Sequence, residues 1–487
     1  MKRVLITHSY YLRLDAKQWK LQQPYAPLGT IYAAAVLRDG GYDVALHDVT
    51  FERNVARFRA VLIKERPSTV VVYDDGFNYL TKMCLTNMRD AAFHMIGEAR
   101  ALGCTVIVHS SDATDHFAAY LEAGAHYVIL GEGEQTLLEL TNALQQESTD
   151  PSSIAGLAYR RDGGVLKTAP RAVLRDLDQL PLPAWDLLDL QPYRAAWMRS
   201  SGYFSINIAT TRGCPYKCNW CAKPIYGNRY NVRSPRKVVD ELLLLRRLVS
   251  VDHIWFCDDI FGLKPGWVAA YADLANAKGM NIPFKIQSRA DLLLQPAYVH
   301  DLARAGCATV WMGAESGSQA ILDAMDKGIS TDQIAAATSL LRAEGIEPCF
   351  FIQFGYLGEK MQDINATIAM INRLQPAEIG ISVSYPLPDT LFYEKVRAQL
   401  TAKSNWTDSD DLALMFRDER MARFYRRLHR YVHRQYRQQK HRRELAAHLG
   451  TPALWSVPNL RKLLSVAKLV PTLWLERKQL NLLQRGI

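Results

Sequence analysis

Three thiols, Cys214, Cys218 and Cys221, fall within the stretch TTRGCPYKCNWCAKP as CxxxCxxC, with no fourth cysteine beside them. A closed structural zinc site takes four protein ligands. A cubane iron-sulfur cluster held by three thiolates keeps one iron open to an external ligand, and an open iron is a place for chemistry. The spacing points to a 4Fe-4S cluster; zinc and plain core cysteines are the other readings. Cys84, Cys104, Cys257, Cys307 and Cys349 are scattered among apolar neighbours, as reduced core thiols are.

The elements that must position these thiols come in two sets. From residue 196 to about 390, FSINIATT, HIWFCDDI, FKIQSRA, TVWMGAES, PCFFIQFG and IGISVSYP read as strands, each followed by a helix-like stretch. Six units are fewer than the eight that close a full barrel, so an open, partial barrel is expected, and its distinctive polar residues sit at strand ends: Asp258-Asp259, Gln287-Ser288-Arg289, the GAESG segment with Glu315, and Gly355-Tyr356-Leu357-Gly358-Glu359. Residues 1 to about 140 also alternate strand and helix signals, which predicts a doubly wound parallel sheet covered on both faces. Ligands of such sheets bind beyond the carboxyl ends of the strands. The loops there are His8-Ser9-Tyr10, Asp74-Asp75-Gly76-Phe77, Ser110-Ser111-Asp112 and Gly131-Glu132-Gly133-Glu134; for the last, the ordinary alternative is a glycine turn capping a helix.

Residues 141–195 read as a connector punctuated by Pro181, Pro183 and Pro192, with a hairpin turn at DGGVLK. Residues 401–487 read as a helical, basic region. The formal net charge of the 487-residue chain is +10, and much of the excess lies in RFYRRLHRYVHRQYRQQKHRR, where Phe424, Leu428, Tyr431, Val432 and Gln435 recur at helical spacing. A helix packed on the main body with a solvated basic face, a membrane-surface helix supported by the tail LLSVAKLVPTLWLERKQLNLLQRG, and nucleic-acid contact are the competing readings, in that order. The amino-terminal run MKRVLITHSYY lacks the pattern of a secretory signal and no apolar run approaches the roughly 20 residues that span a bilayer, so a cytoplasmic location is expected.

The cysteine spacing, with Trp220 directly before the last thiol and a strand leading in, resembles the radical S-adenosylmethionine (SAM) superfamily. The parallel domain with PLG near its first helix and GEGE at its last strand, followed by LDQLPLPAWDLLDLQPY and the cysteine loop, resembles its cobalamin-binding enzymes over residues 1 to about 400. That resemblance implies a six-unit barrel with the cluster loop after its first strand, and SAM chelated at the open iron. It implies Asp258 and Asp259 near the SAM ammonium, Arg289 near its carboxylate with Gln287 also at SAM, Glu315 at the ribose, Gly355 and Tyr356 along the adenine, and Trp220 against cluster or adenine. The ordinary alternatives are a helix cap for either aspartate, a salt bridge from Arg289 to Asp291 or Glu315, and core packing for Trp220. Cobalamin would lie on His8, Ser9, Tyr10, Asp75, Gly76, Ser110, Ser111, Gly131, Glu132, Gly133 and Glu134. The DxHxxG pattern of many cobalamin domains is missing, so histidine ligation of the lower face is not expected.

The activity implied is methylation of an unactivated carbon of a small or lipid-like metabolite through a 5′-deoxyadenosyl radical and methylcobalamin, with a flavodoxin- or ferredoxin-type electron donor. Tyr385, after the sixth strand, is a candidate catalytic group on the substrate side. Non-methylating oxidative cyclisation or rearrangement, as in anaerobic magnesium-protoporphyrin ester cyclases, is the alternative. Radical methylthiolation of tRNA needs a second cluster, for which the amino-terminal region supplies only Cys84 and Cys104, and a cobalamin sensor does not need the cysteine loop.

Overall fold

The computed structural model describes residues 3–77, 85–146, 150–223, 225–403, 405–418, 420 and 422–484; Cys84 lies outside them. Two sheets dominate. The first has seven strands in the order β2-β1-β3-β4-β5-β6-β7: β1 (Val4–Thr7), β2 (Val44–His47), β3 (Thr69–Tyr73), β4 (Thr105–His109), β5 (Tyr127–Ile129), β6 (Leu157–Arg161) and β7 (Gly164–Lys167). β1 to β5 pair in parallel. VLIT, TVVVY and TVIVH are almost wholly buried, as β-branched runs covered on both faces must be.

One expectation changes here. The hairpin at DGGVLK belongs to this sheet rather than to a connector: β6 and β7 extend it antiparallel past β5. Asp162 and Gly163 both take positive φ, 50° and 80°, as a two-residue turn matching strand twist requires. The hairpin covers the edge that β5 would otherwise expose.

The second sheet has six parallel strands in the order β15-β14-β13-β12-β11-β8: β8 (Ser205–Ile208), β11 (His253–Phe256), β12 (Phe284–Ser288), β13 (Cys307–Glu315), β14 (Glu347–Phe354) and β15 (Glu378–Val383). It is the open half-barrel expected from the six units. A short ribbon, β9 (Thr211–Arg212) with β10 (Asn231–Val232), brackets the cysteine loop.

Helix α1 (Leu28–Asp39) is buried from Leu28 to Leu37 because it lies between the two sheets. Leu28, Ile31 and Tyr32 join the barrel core, while Ala33, Ala34 and Leu37 join the core of the first sheet. Asn207 of β8 clamps Ala26, two residues ahead of this helix, accepting from the Ala26 N–H and donating to the Ala26 carbonyl, both at 3.0 Å. Two more helices finish this junction, α2 (Glu134–Gln146) under the first sheet and α3 (Pro235–Leu248) on the barrel. Glu241 of α3 is fully buried, accepts from Trp185 Nε1 at 2.9 Å and pairs with Arg233 at 2.6 Å.

At the carboxyl end, α4 (Ala422–Ala446) packs Phe424, Tyr425, Leu428, Tyr431, Val432 and Tyr436 inward, so Tyr436 takes the place expected of the half-buried Gln435. α5 (Val457–Gln484) lies along it. Among the described residues no helix is long and apolar enough to cross a membrane.

Removing one partner of a buried ion pair strands the other charge. Glu241→Ala is therefore expected to destabilise the protein by about 3–5 kcal/mol in urea unfolding, with Glu241→Gln, which keeps an acceptor for Trp185, losing less; an unchanged midpoint in both would contradict this reading of the junction.

Candidate functional site

The cysteine loop starts from a backbone only glycine accepts. Gly213 has φ of 79°, and a Cβ there would run into the Arg229 carbonyl. Cys214, Cys218 and Cys221 follow, none of them in a disulfide; burial pushes the Cys214 thiol above its ordinary pKa, and Asp259 adds to the shift. The loop is tied at several points. Lys223 Nζ donates to the Tyr216 carbonyl at 2.5 Å and to Asn228 at 2.7 Å. Asn219 donates to the Ala324 carbonyl at 2.8 Å and to Asp326 at 2.7 Å, while Tyr356 donates its hydroxyl to Asn219 at 2.8 Å.

Two cations stand against the thiols. Arg289 lies over the Tyr216 ring at 3.8 Å and points Nη1 at Cys218 Sγ, 3.7 Å away. Lys327 is buried beside Glu315 at 2.7 Å. Burial alone would lower its pKa, but Glu315 and Cys218 hold it above its ordinary value. A cationic surround suits thiolates and an anionic cluster. No three His, Cys, Asp or Glu side chains among the described residues converge as around a single metal ion. A cubane, which sets its thiolates on separate corners, makes no such demand, and three cysteines in one anchored loop, none of them in a disulfide, fit it.

The strand-end residues divide by what their side chains already do. Asp258 is buried and taken up as a strut: it accepts from the N–H groups of Thr210 and Thr211 at 2.7 and 2.8 Å and from the Thr210 hydroxyl at 2.5 Å. Burial pushes its pKa up to about 6. Its neighbour Asp259 is half-buried. Arg289 makes the salt bridge to Asp291, at 3.0 Å, and donates to the Lys327 carbonyl at 2.7 Å. Gln287 is half-buried on β12 and in register with Trp311, which stacks on Phe351 at 4.8 Å. Glu315 closes β13 at φ of 55°, and a Cβ on Gly313 would meet both Lys327 Nζ and Glu315 Oε1. Gly355 has φ of 77° and a Cβ there would press on the Tyr425 ring, so backbone approaches closely at this turn.

Tyr356 stacks on Phe392 at 4.7 Å and Trp220 packs on the same apolar cluster, with Trp220 Nε1 buried and unbonded. Tyr385 is buried, edge-on to Trp406 at 4.0 Å, and its hydroxyl donates to the Asp411 carbonyl at 2.5 Å; catalysis by that hydroxyl would require breaking this bond. Gln353 Oε1 and Ser384 Oγ are buried without a partner.

At the carboxyl edge of the first sheet, His8 bonds Asp48 at 2.9 Å, Ser9 donates through N–H and hydroxyl to Asp74, and Tyr10 N–H donates to His8 Nδ1. Asp75 accepts from Gly29 and Phe77 N–H groups at 3.1 and 2.9 Å, which fixes Gly76 against Ile225. Ser110 caps the following turn at Ala113. His109 stacks on Tyr73 at 4.0 Å, and burial lowers its pKa to about 4. Its Nδ1, with Ser111 Oγ, is buried and unbonded, so this edge holds polar atoms awaiting partners, as a corrin site would.

Sequence reasoning missed the residue that joins the two edges. Arg212, two positions before Cys214, donates to Glu132 and forks onto Glu134 at 2.6 and 3.1 Å. All three side chains are buried, and the rings of Tyr32, Phe77 and Tyr226 lie 5.2–5.5 Å from the guanidinium. Burial pushes the Glu134 carboxyl up, but Arg212 outweighs it and leaves its pKa below the ordinary value; burial keeps that of Glu132 above it. Gly131 turns at φ of 71°, and a Cβ on Gly133 would strike His109 and Tyr73. Glu132 and Glu134 therefore brace the cysteine loop, and what the turn offers a ligand is backbone.

Residues 208–371 match the model of the radical SAM superfamily. The uncharacterized methyltransferase PH0819 of Pyrococcus horikoshii is 26% identical over 390 residues, 78% of this chain and 80% of that one. The anaerobic magnesium-protoporphyrin IX monomethyl ester cyclase of Synechocystis is 26% identical over 348 residues, 71% of this chain and 67% of that one. The radical SAM methyltransferase TsrM of Kitasatospora setae, solved with cobalamin and a 4Fe-4S cluster, superposes with a TM-score of 0.67 at 21% identity, covering 82% of this chain and 75% of that one; it shares the fold.

Burial pushes the Glu359 carboxyl from 4.5 up to about 8, against the bond it accepts from Gly355 N–H. The folded protein thus keeps a proton that the unfolded chain releases, and the stability this contributes is complete below about pH 4.5 and lost as pH rises through about 8. Glu359→Gln is expected to flatten the fall in urea midpoint across this window; a parallel fall in both proteins would refute the assignment.

Proposed function

We propose that this chain, which carries a radical SAM domain, is a cobalamin-dependent methyltransferase acting on an unactivated carbon of a small or lipid-like substrate. The observation that carries the proposal is the cysteine loop: three cysteines outside any disulfide, locked by Gly213, Asn219 and Lys223, faced by Arg289 and Lys327, and braced through Arg212 to the ligand edge of the first sheet.

Cys214, Cys218 and Cys221 would hold the cluster. Asp259, Gln287, Arg289, Glu315 and the Gly355-Tyr356 turn would surround SAM, with Trp220 and Tyr356 as walls and Asp258 keeping the Thr210-Thr211 backbone in place. His8 to Tyr10, Asp75, Gly76, Ser110, Ser111 and the backbone of residues 131–134 would take cobalamin between the two sheets. When bound, these groups supply one-electron cleavage of SAM to a 5′-deoxyadenosyl radical and a transferable methyl group. The chain's own work is to exclude water from that radical and to order the donors: the Trp311-Phe351 pair gives the barrel an apolar wall, and Gln353 and Ser384 offer unbonded polar atoms near its mouth. The electron would come from a flavodoxin- or ferredoxin-type donor, in the cytoplasm.

Similarity to the magnesium-protoporphyrin cyclase supports a second reading, radical oxidation without methyl transfer. Anaerobically reconstituted protein given reductant, cobalamin and methyl-labelled SAM is expected to form 5′-deoxyadenosine and to place label on cobalamin, and Cys218→Ala to do neither. Deoxyadenosine without labelled cobalamin would favour the cyclase reading; no deoxyadenosine from protein that retains its iron would overturn both.

A further inference from the structure

Helix α5 is apolar on two opposite faces, and the fold uses one. Leu469 and Leu480 are buried, Leu473 is half-buried, and Glu476 turns inward onto Arg434 of α4. On the opposite side Val457, Leu460, Leu464, Pro471, Trp474 and Leu482 recur at steps of three, four, seven and eight, all exposed, with Val457, Leu464 and Trp474 at 63%, 72% and 64%. A stripe of this kind along roughly 37 Å of helix is far more than scattered surface apolarity. Glu476 is the single acidic residue of α5, and Arg461, Lys468, Arg477 and Lys478 are exposed around the stripe.

The stripe runs at its carboxyl end into a cationic groove. Arg423, Arg426, Arg427 and Arg430 of α4 line it together with Gln479, Leu482 and Leu483 of α5. These arginines share one helical face, and no carboxylate pairs with them among the described residues; Arg427 donates to the neutral Gln479. Four unneutralised guanidinium groups around leucines call for an occupant that is anionic and apolar at once. An acidic protein or a nucleic acid would satisfy the arginines and leave the leucines and tryptophans wet. A second copy of this chain would bring two cationic surfaces together.

We propose that α5 and the arginine groove form a docking surface for an anionic phospholipid bilayer, with the stripe sunk at the level of the headgroups and the arginines on lipid phosphates. Tryptophan at such a boundary is favoured, and Trp455, just before α5, is 69% exposed. The inference stands apart from the catalytic reading: it needs no cluster and no SAM.

The test uses full-length protein and vesicles of phosphatidylglycerol with phosphatidylcholine, or of phosphatidylcholine alone, in a flotation assay. Wild type is expected to float with the anionic vesicles and to be released as salt screens the charges. The triple variant Arg423→Gln, Arg426→Gln, Arg430→Gln and the double variant Leu464→Ser, Trp474→Ser should each bind at least about tenfold more weakly, with unchanged thermal melting and iron content showing that they fold. Equal binding to neutral vesicles, no binding to either, or a dimer in light scattering that Leu464→Ser, Trp474→Ser dissociates would overturn the proposal.

Discussion

The structure depends on one buried charge. Arg212 leaves the barrel just ahead of the cysteine loop and ends between two carboxylates of the turn after β5 of the first sheet, enclosed by three aromatic rings. A guanidinium out of water is tolerated only where its fork is matched and its remaining faces are covered, and here both conditions hold at once. The cost of misplacing this residue is therefore high, and that cost is what fixes the loop relative to the first sheet. Asn207 on Ala26 and Glu241 on Trp185 repeat the arrangement on a smaller scale: each is a buried polar group with its partner on the far side of the α1 junction.

Within that frame, the loop is rigid where it must be and cationic where it must hold negative charge. Asn219 and Tyr356 tie it to the β13 side of the barrel, and Arg289 and Lys327 place positive charge near Cys218. Lys327 also holds Glu315, so one lysine links the thiols to the residue expected at the ribose. A ligand entering there would exchange an existing ion pair for new contacts rather than meet bare charges.

Much of this was legible in the chain, and what was not has a common cause. The six strand-helix units, the five parallel strands and the cysteine spacing are local signals with a period or a fixed offset. Arg212 stands within TTRGCP but its partners lie about 80 residues earlier in the sequence, so nothing local announces the pair. Asp258 reads as a ligand group because it ends a strand; only the fold reveals that Thr210 and Thr211, on the neighbouring strand's exit, consume both its oxygens. Tyr385 is consumed in the same way by Asp411. DGGVLK gave the turn of a hairpin without the edge strand it would cover. Lys327 follows no motif at all. The second carboxyl-terminal helix, apolar on two sides, has no single stripe for helical periodicity to find.

The central claim is that Cys214, Cys218 and Cys221 hold a cubane whose fourth iron is open to SAM. Electron paramagnetic resonance of the anaerobically reconstituted, reduced protein tests it most directly. The account predicts the signal of a reduced 4Fe-4S cluster, with g-values that shift when SAM is added. A cluster signal that ignores SAM, or zinc bound by the same cysteines with no iron signal, would contradict it.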